Sequence, residues 1–288
     1  MWTFMAKYTQ KPRVMQTSLL TLHRSVAGPS QSKSAPMGKK YDIIWHECLD
    51  STNDEALRHL YSLDNMSVIA AECQTAGRGQ RGNAWESAPG DNLTFTVVMK
   101  FGDGALPALQ ASMQFLISEV TALAVSSFLE ENGIRTLVKW PNDIYSGDRK
   151  ICGILIENRV RGEMLSSSVC GIGLNLNQTT FPPDIPNPVS MKLETGKNFD
   201  SKASLRRLMD IFSELLGTAL SPGGHEKTES LYLSHLYRKD SLHRFIDCTS
   251  GTTFEGIIRG ISPAACLLVE IPDYGLRAFS FKEIQYII

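Results

Sequence analysis

The chain has 288 residues, 42% hydrophobic and 20% charged, which leaves room for one large domain or two with a real core. Its 29 Lys and Arg nearly balance 30 Asp and Glu, a net charge of −1. That balance gives no whole-surface attraction to nucleic acid, and no apolar run approaches the roughly 18 residues that span a bilayer, so neither is expected as a partner.

Residues 1–40 differ in kind from the rest. They carry seven Lys and Arg, many Ser and Thr, and no Asp or Glu. Such a segment reads either as an organelle transit peptide or as a disordered leader, with Met37 as the natural start of a compact protein. From Tyr41 the pattern becomes regular. Tyr41 to His46 reads as a strand, Ser51-Thr52-Asn53 supplies helix N-cap chemistry, and Ala56, Leu57, Leu60 and Leu63 form a helical stripe.

Val68 to Glu72 leads into a loop holding Gly77, Gly79 and Gly82 with Arg78 and Arg81, followed by Trp85. Glycines let backbone N–H groups converge on an anion, the arginines add permanent charge, and the indole offers a flat face for a ring. The loop fits neither common nucleotide-loop pattern. Asn92 to Met99 reads as a strand beyond it, and apolar positions between Pro107 and Glu130 predict a long amphipathic helix.

Leu137 to Tyr145 carries Lys139-Trp-Pro-Asn-Asp143, in which Pro141 ends a strand and places Asn142 and Asp143 at a turn. Gly147-Asp148 reads as a hairpin turn into the strand Arg149 to Glu157, which contains Lys150 and Gly153. Ser167 to Asn177 reads as another strand, with Gly171 and Gly173 permitting close approach and Asn175 and Asn177 on one face. Residues 179–188 are proline-heavy and read as an exposed loop.

Helical patterns return at 204–220 and 231–237, and several short β runs beyond His243 predict a small barrel, too small for its own site and fit to be an accessory cap. Six scattered cysteines without a Cys-x-x-Cys pair read as reduced core thiols, and six scattered histidines show no metal-ligand spacing. On residues alone, this set of cations around glycine-rich backbone predicts an enzyme that uses ATP or transfers a nucleotidyl group.

Taken in order, Ser51-Thr52-Asn53, the Gly77 to Gly82 loop with Trp85, Lys139 to Asp143, Arg149 to Glu157 and Gly171 to Asn175 resemble biotin–protein ligase of the monofunctional type. The resemblance runs from about Tyr41 to the C-terminus. It implies an α+β fold: a mixed sheet with packed helices, like class II synthetases, over residues 41–240, and an SH3-like β-barrel over 241–288. It implies that biotin and ATP, with Mg²⁺, give biotinyl-5′-AMP, and that biotin passes to a lysine of a biotin carboxyl carrier protein or a carboxylase biotinyl domain.

By the same resemblance, Ser51, Thr52, Asn53 and Gln74 line the biotin end, while Arg78 and Lys150 meet at the carboxylate and α-phosphate. Trp85, Lys139, Asn142 and Asn175 hold the AMP portion, Gly79, Gln80, Arg81 and Gly153 are further binding positions, and Asp143 lies near the incoming lysine. Gln80 departs from relatives with a second arginine there, which removes one charge from the loop. A winged-helix repressor domain is not expected from residues 1–40. Alternatives are a lipoate or octanoate ligase of the same fold and a non-catalytic sensor. Monomer and homodimer are both open, and the expected setting is cytoplasmic, or mitochondrial or plastid if residues 1–40 are a transit peptide.

Overall fold

The alternating run after Tyr41 forms β1 (Asp42–Leu49), and the apolar run before the glycine loop forms β2 (Ser67–Gln74), parallel to it. Parallel strands need a crossover, here α1 (Thr52–Arg58), whose N-terminus is capped by the Ser51 side chain. The computed structural model describes residues 41–103 and 105–288, apart from the side chain of Arg81. The leader expected at residues 1–40 lies outside the described residues.

The strands that follow are β3 (Leu93–Lys100), β4 (Leu109–Gln110), β5 (Leu137–Lys139), β6 (Asp143–Ser146), β7 (Arg149–Arg161) and β8 (Met164–Leu174). With β1 and β2 they form one eight-stranded mixed sheet in the order β1-β2-β3-β8-β7-β6-β5, β4 adding to β8. Gly147, at φ 57°, makes the tight β6–β7 turn that starts β7 at Arg149.

Helix α2 (Phe115–Glu131) corrects two expectations. It is buried on every face from Leu116 to Leu129, not amphipathic, because α4 (Ser201–Ala219) and α5 (Gly224–Ser234) cover the side turned from the sheet. Residues 111–131 are also long and apolar enough to cross a membrane by length and composition, yet 78% of the apolar 18-residue stretch within them is buried inside the protein, as in a core helix. α5 ends at Ser234, earlier than its apolar pattern suggests, because Leu236 leaves the helix to bridge Val138 on β5. A short helix α3 (Met191–Thr195) follows the proline-rich loop.

The C-terminal strands β9 (Leu242–Asp247), β10 (Thr252–Ile261), β11 (Leu267–Ile271), β12 (Gly275–Phe279) and β13 (Ile284–Tyr286) form an antiparallel sheet in the order β12-β11-β10-β9-β13. The expected barrel is corrected to this five-stranded sheet, since no pairing joins its edges β12 and β13. Phe245, Phe254, Phe279 and Tyr286 pack ring on ring across it at centroid distances of 5.3–5.7 Å. Of the six thiols, only Cys152 and Cys170 are buried; Cys48 and Cys248 are exposed, so the expectation of core thiols holds for the buried two alone.

Candidate functional site

The glycine loop is a closed hairpin. Arg78 bridges Ala84, Gly79 N donates to Asn83 O at 2.7 Å, and Trp85 N donates to Gly77 O at 2.9 Å. Its tip, Gln80–Gly82, winds into one 3-10 turn. The closure lays the Trp85 ring on the backbone of Gly153 and Gly173, partners across β7 and β8. A Cβ on Gly173 would stand 2.3 Å from Trp85 Cε2, well inside contact distance. Gly173→Ala is therefore expected to unseat the indole, with a shift in intrinsic tryptophan fluorescence while far-UV circular dichroism stays unchanged. An unaltered emission spectrum would show that the ring does not depend on that gap.

At one end of the loop, α1 and the sheet build a continuous polar chain. Gln74 Oε1 accepts from Thr52 N at 2.8 Å and from Thr52 Oγ1 at 3.1 Å. Thr96 Oγ1 lies 2.9 Å from Thr52 Oγ1 and 2.6 Å from Asn53 Oδ1. Asn53 Nδ2 then donates to Glu157 Oε2 at 3.0 Å. Asn53 approaches so closely that a Cβ on Gly171 would stand 2.1 Å from its Oδ1. Buried polar groups linked this way hold one another's rotamers, so this end is preorganised to meet a polar ligand group.

Arg78 extends the chain. Its Nη2 lies 2.8 Å from Glu157 Oε1 and its Nη1 2.5 Å from Asp54 Oδ1. Glu157, then Asp54, hold the guanidinium above its ordinary titration against the opposing effect of burial. Lys150 Nζ pairs with Asp143 Oδ1 at 2.8 Å and stands 5.9 Å from the Trp85 ring centre. Neither carboxylate partner of Arg78 follows from the sequence motifs, because Asp54 sits on the capped helix and Glu157 far along β7.

At the other end, Lys139 Nζ donates to Tyr145 Oη at 3.1 Å and lies 4.9 Å and 5.2 Å from the ring centres of Tyr145 and Tyr286. Asn142 Nδ2 donates to Ile154 O, fixing the turn on β7. Tyr232 Oη, from α5, donates to Pro141 O at 2.8 Å, so the helical layer steadies the same turn. Burial pushes the Tyr145 and Tyr286 phenols upward, so both are neutral donors at ordinary pH.

These elements enclose one cavity of about 290 Å³. Of the sequence-derived candidates, Ser51, Thr52, Asn53, Gln74, Arg78, Gly79, Gln80, Trp85, Lys139, Asn142, Asp143, Lys150 and Gly153 all line it. The two cations expected to act together thus face one space. The Arg81 side chain lies outside the described residues. Asn175 is absent from the lining and buried behind it: its Nδ2 donates to Val189 O at 2.9 Å, and Val189 N donates to Lys150 O at 2.9 Å. Asn175 therefore fastens the end of the proline-rich loop against the Lys150 backbone.

Sequence reasoning missed the contribution of the last strand. Phe281, Ile284, Gln285 and Tyr286 line the cavity, so the C-terminal sheet forms part of its wall. Trp85 Nε1, Trp140 Nε1 and Tyr286 Oη, from residues of that lining, are buried without a hydrogen-bond partner among the described residues. Only the end-of-chain aromatic at Tyr286 could have signalled this, and it reads equally well as core. Among the described residues no group of three or more His, Cys, Asp or Glu could cage a metal. The one carboxylate that lines the cavity, Asp143, could share Mg²⁺ only with the phosphates of a bound nucleotide.

The residue pattern of the Biotin/lipoate A/B protein ligase family matches residues 45–175. A biotin–[acetyl-CoA-carboxylase] ligase of Paracoccus denitrificans is 31% identical over 228 residues, 77% of this chain and 92% of that protein. The bifunctional ligase/repressor BirA of Bacillus subtilis is 29% identical, over 88% of this chain and 76% of its own length. Among solved structures, the biotin protein ligase from Aquifex aeolicus in complex with biotin and ATP superposes with a TM-score of 0.68 at 24% identity, covering 85% of this chain and 99% of that one. The fold is that of biotin protein ligases.

Proposed function

Because the chain belongs to the biotin/lipoate A/B protein ligase family, we propose that it is an ATP-dependent biotin–protein ligase. Biotin and ATP give biotinyl-5′-AMP and pyrophosphate, and the biotinyl group then passes to an acceptor lysine. The observation that carries this reading is the shared cavity with Arg78 and Lys150 on its wall, beside a hydrogen-bonded Gln74–Thr52–Thr96–Asn53 chain.

In the first step a biotin carboxylate oxygen attacks the α-phosphorus of ATP, two anions that repel in water. Arg78 and Lys150 offset that repulsion and the charge that builds on the phosphoryl oxygens. Asp54, Glu157 and Asp143 hold the two cations at the cavity wall beforehand, so less ordering is left for the moment of reaction. Ser51, Thr52, Asn53 and Gln74 receive the biotin end, and Trp85, Lys139 and Asn142 the nucleotide end. Asn175 positions Lys150 through Val189 rather than touching ligand. Mg²⁺ travels with the phosphates of ATP as part of the substrate.

In the second step the acceptor amine attacks the carbonyl of the mixed anhydride and AMP leaves. Biotin ligases act on acceptor domains associated with biotin carboxylases, and for this chain a lysine of a biotin carboxyl carrier protein or biotinyl domain is the acceptor we propose. Asp143 lies beside the site that amine must reach. Pyrophosphate release measured with ATP, Mg²⁺ and either biotin or lipoate tests the assignment. Release is expected with biotin; release driven by lipoate alone would move the chain to the lipoate branch of the family.

A further inference from the structure

Cys48 on β1 and Cys73 on β2 are register partners across the parallel pair. Partners in register send their side chains to the same face of the sheet. Parallel neighbours lie about 4.8 Å apart, inside the roughly 4.4–6.8 Å between Cα atoms that a disulfide bridges. β1 is the outer strand of its sheet, Cys48 is exposed, Cys73 is half-buried, and both thiols are free. The other thiols differ: Cys152 and Cys170, on adjacent β7 and β8, are buried and pair in register with Leu174 and Ile156 instead of each other.

We propose that Cys48 and Cys73 form an oxidative modification site, which a hydroperoxide converts into an intrachain disulfide beside the polar end of the cavity. The Cys48 thiolate attacks the outer peroxide oxygen, the O–O bond breaks, and the alkoxide leaves with a proton as alcohol or water. The Cys48 sulfenic acid is then attacked by Cys73 sulfur, the S–O bond breaks, and water leaves. Two electrons pass from the sulfur pair to the peroxide.

The Cys73 thiol beside Cys48 holds it above its ordinary titration, so the first step speeds up as pH rises past neutral. The pair is placed where a cross-link has a local effect. Cys73 directly precedes Gln74, which accepts from Thr52, and Cys48 precedes the turn that leads to Ser51. A bond between them would staple the two segments that carry this end of the cavity.

The test treats the whole purified chain with hydrogen peroxide across a pH series, alkylates the remaining thiols and maps the cysteine peptides by mass spectrometry. The expected product is a peptide pair joined through Cys48 and Cys73, forming faster at higher pH and released by dithiothreitol. Cys73→Ser is expected to stop at a Cys48 sulfenic acid that dimedone traps, and to abolish a rise in unfolding temperature seen on oxidising the wild type. As a measure free of variants, one trivalent arsenical per chain should protect both thiols from alkylation together. Independent alkylation of the two thiols after peroxide, or a Cys48 cross-link to Cys248 or Cys266, would overturn the proposal.

Discussion

Lys150→Ala and Arg78→Ala are each expected to lower biotin-dependent pyrophosphate release by roughly 100-fold or more, about 3 kcal/mol of transition-state stabilisation. The size follows from placement. Both cations line one cavity, each already oriented by a carboxylate at 2.5–2.8 Å, so each meets the developing phosphoryl charge without first being ordered. Removing either also leaves Asp143, or Asp54 and Glu157, as uncompensated negative charge facing an anionic substrate. The loss should therefore exceed that of an exposed surface cation. Arg149→Ala, one residue away but exposed and paired with Glu194 outside the cavity, supplies the control and should retain near-normal release. If Lys150→Ala and Arg149→Ala fell by the same factor, the effect would belong to the strand and not to the site.

The second large effect concerns stability. Glu119 on α2 is 3% exposed, its Oε2 has no hydrogen-bond partner among the described residues, and its titration is pushed up from 4.5 to about 8, first by burial and then by Glu229. In the folded chain the group stays neutral from pH 4.5 up to about 8, where the unfolded chain already has it ionised. Between pH 4.5 and about 8 the folded state thus holds a proton that the unfolded state has released. Stability is fully present below 4.5 and falls as pH rises, by roughly 1.4 kcal/mol per unit, toward a loss on the order of 3–5 kcal/mol. Glu119→Gln cannot ionise. Its denaturant midpoint relative to wild type is expected to climb steadily from pH 5 to pH 8 and then level. Parallel pH profiles for the two proteins would remove Glu119 from this account.

Much of the site was legible because its residues come in short consecutive runs. A glycine hairpin with arginines, a Pro-Asn-Asp turn and a glycine-bearing strand each announce backbone geometry locally, and local geometry is what neighbouring residues encode. What escaped reading depends on contacts between distant segments. Asn175 looked like a ligand-facing amide, yet it turns behind the cavity to hold Val189. The proline-rich loop looked merely exposed, yet Asn187 O accepts from Lys150 N at 2.8 Å. Helix α2 looked amphipathic because its apolar residues recur at helical spacing, which left the polar positions between them, such as Thr121, unassigned. Thr121 instead donates to Ile117 O at 2.6 Å, which lets a hydroxyl enter the core satisfied.

The amino-acid order by itself determined most of the strands and helices that frame the cavity and the glycine loop, since periodicity and turn chemistry act over a few residues; the pairing of Arg78 with Lys150 came from the family resemblance. Only the tertiary structure decided which acids hold those cations, that the last strand closes the wall with Tyr286, and that Cys48 stands beside Cys73. Those outcomes depend on sheet order and register, which emerge when segments far apart in the chain bury their faces together.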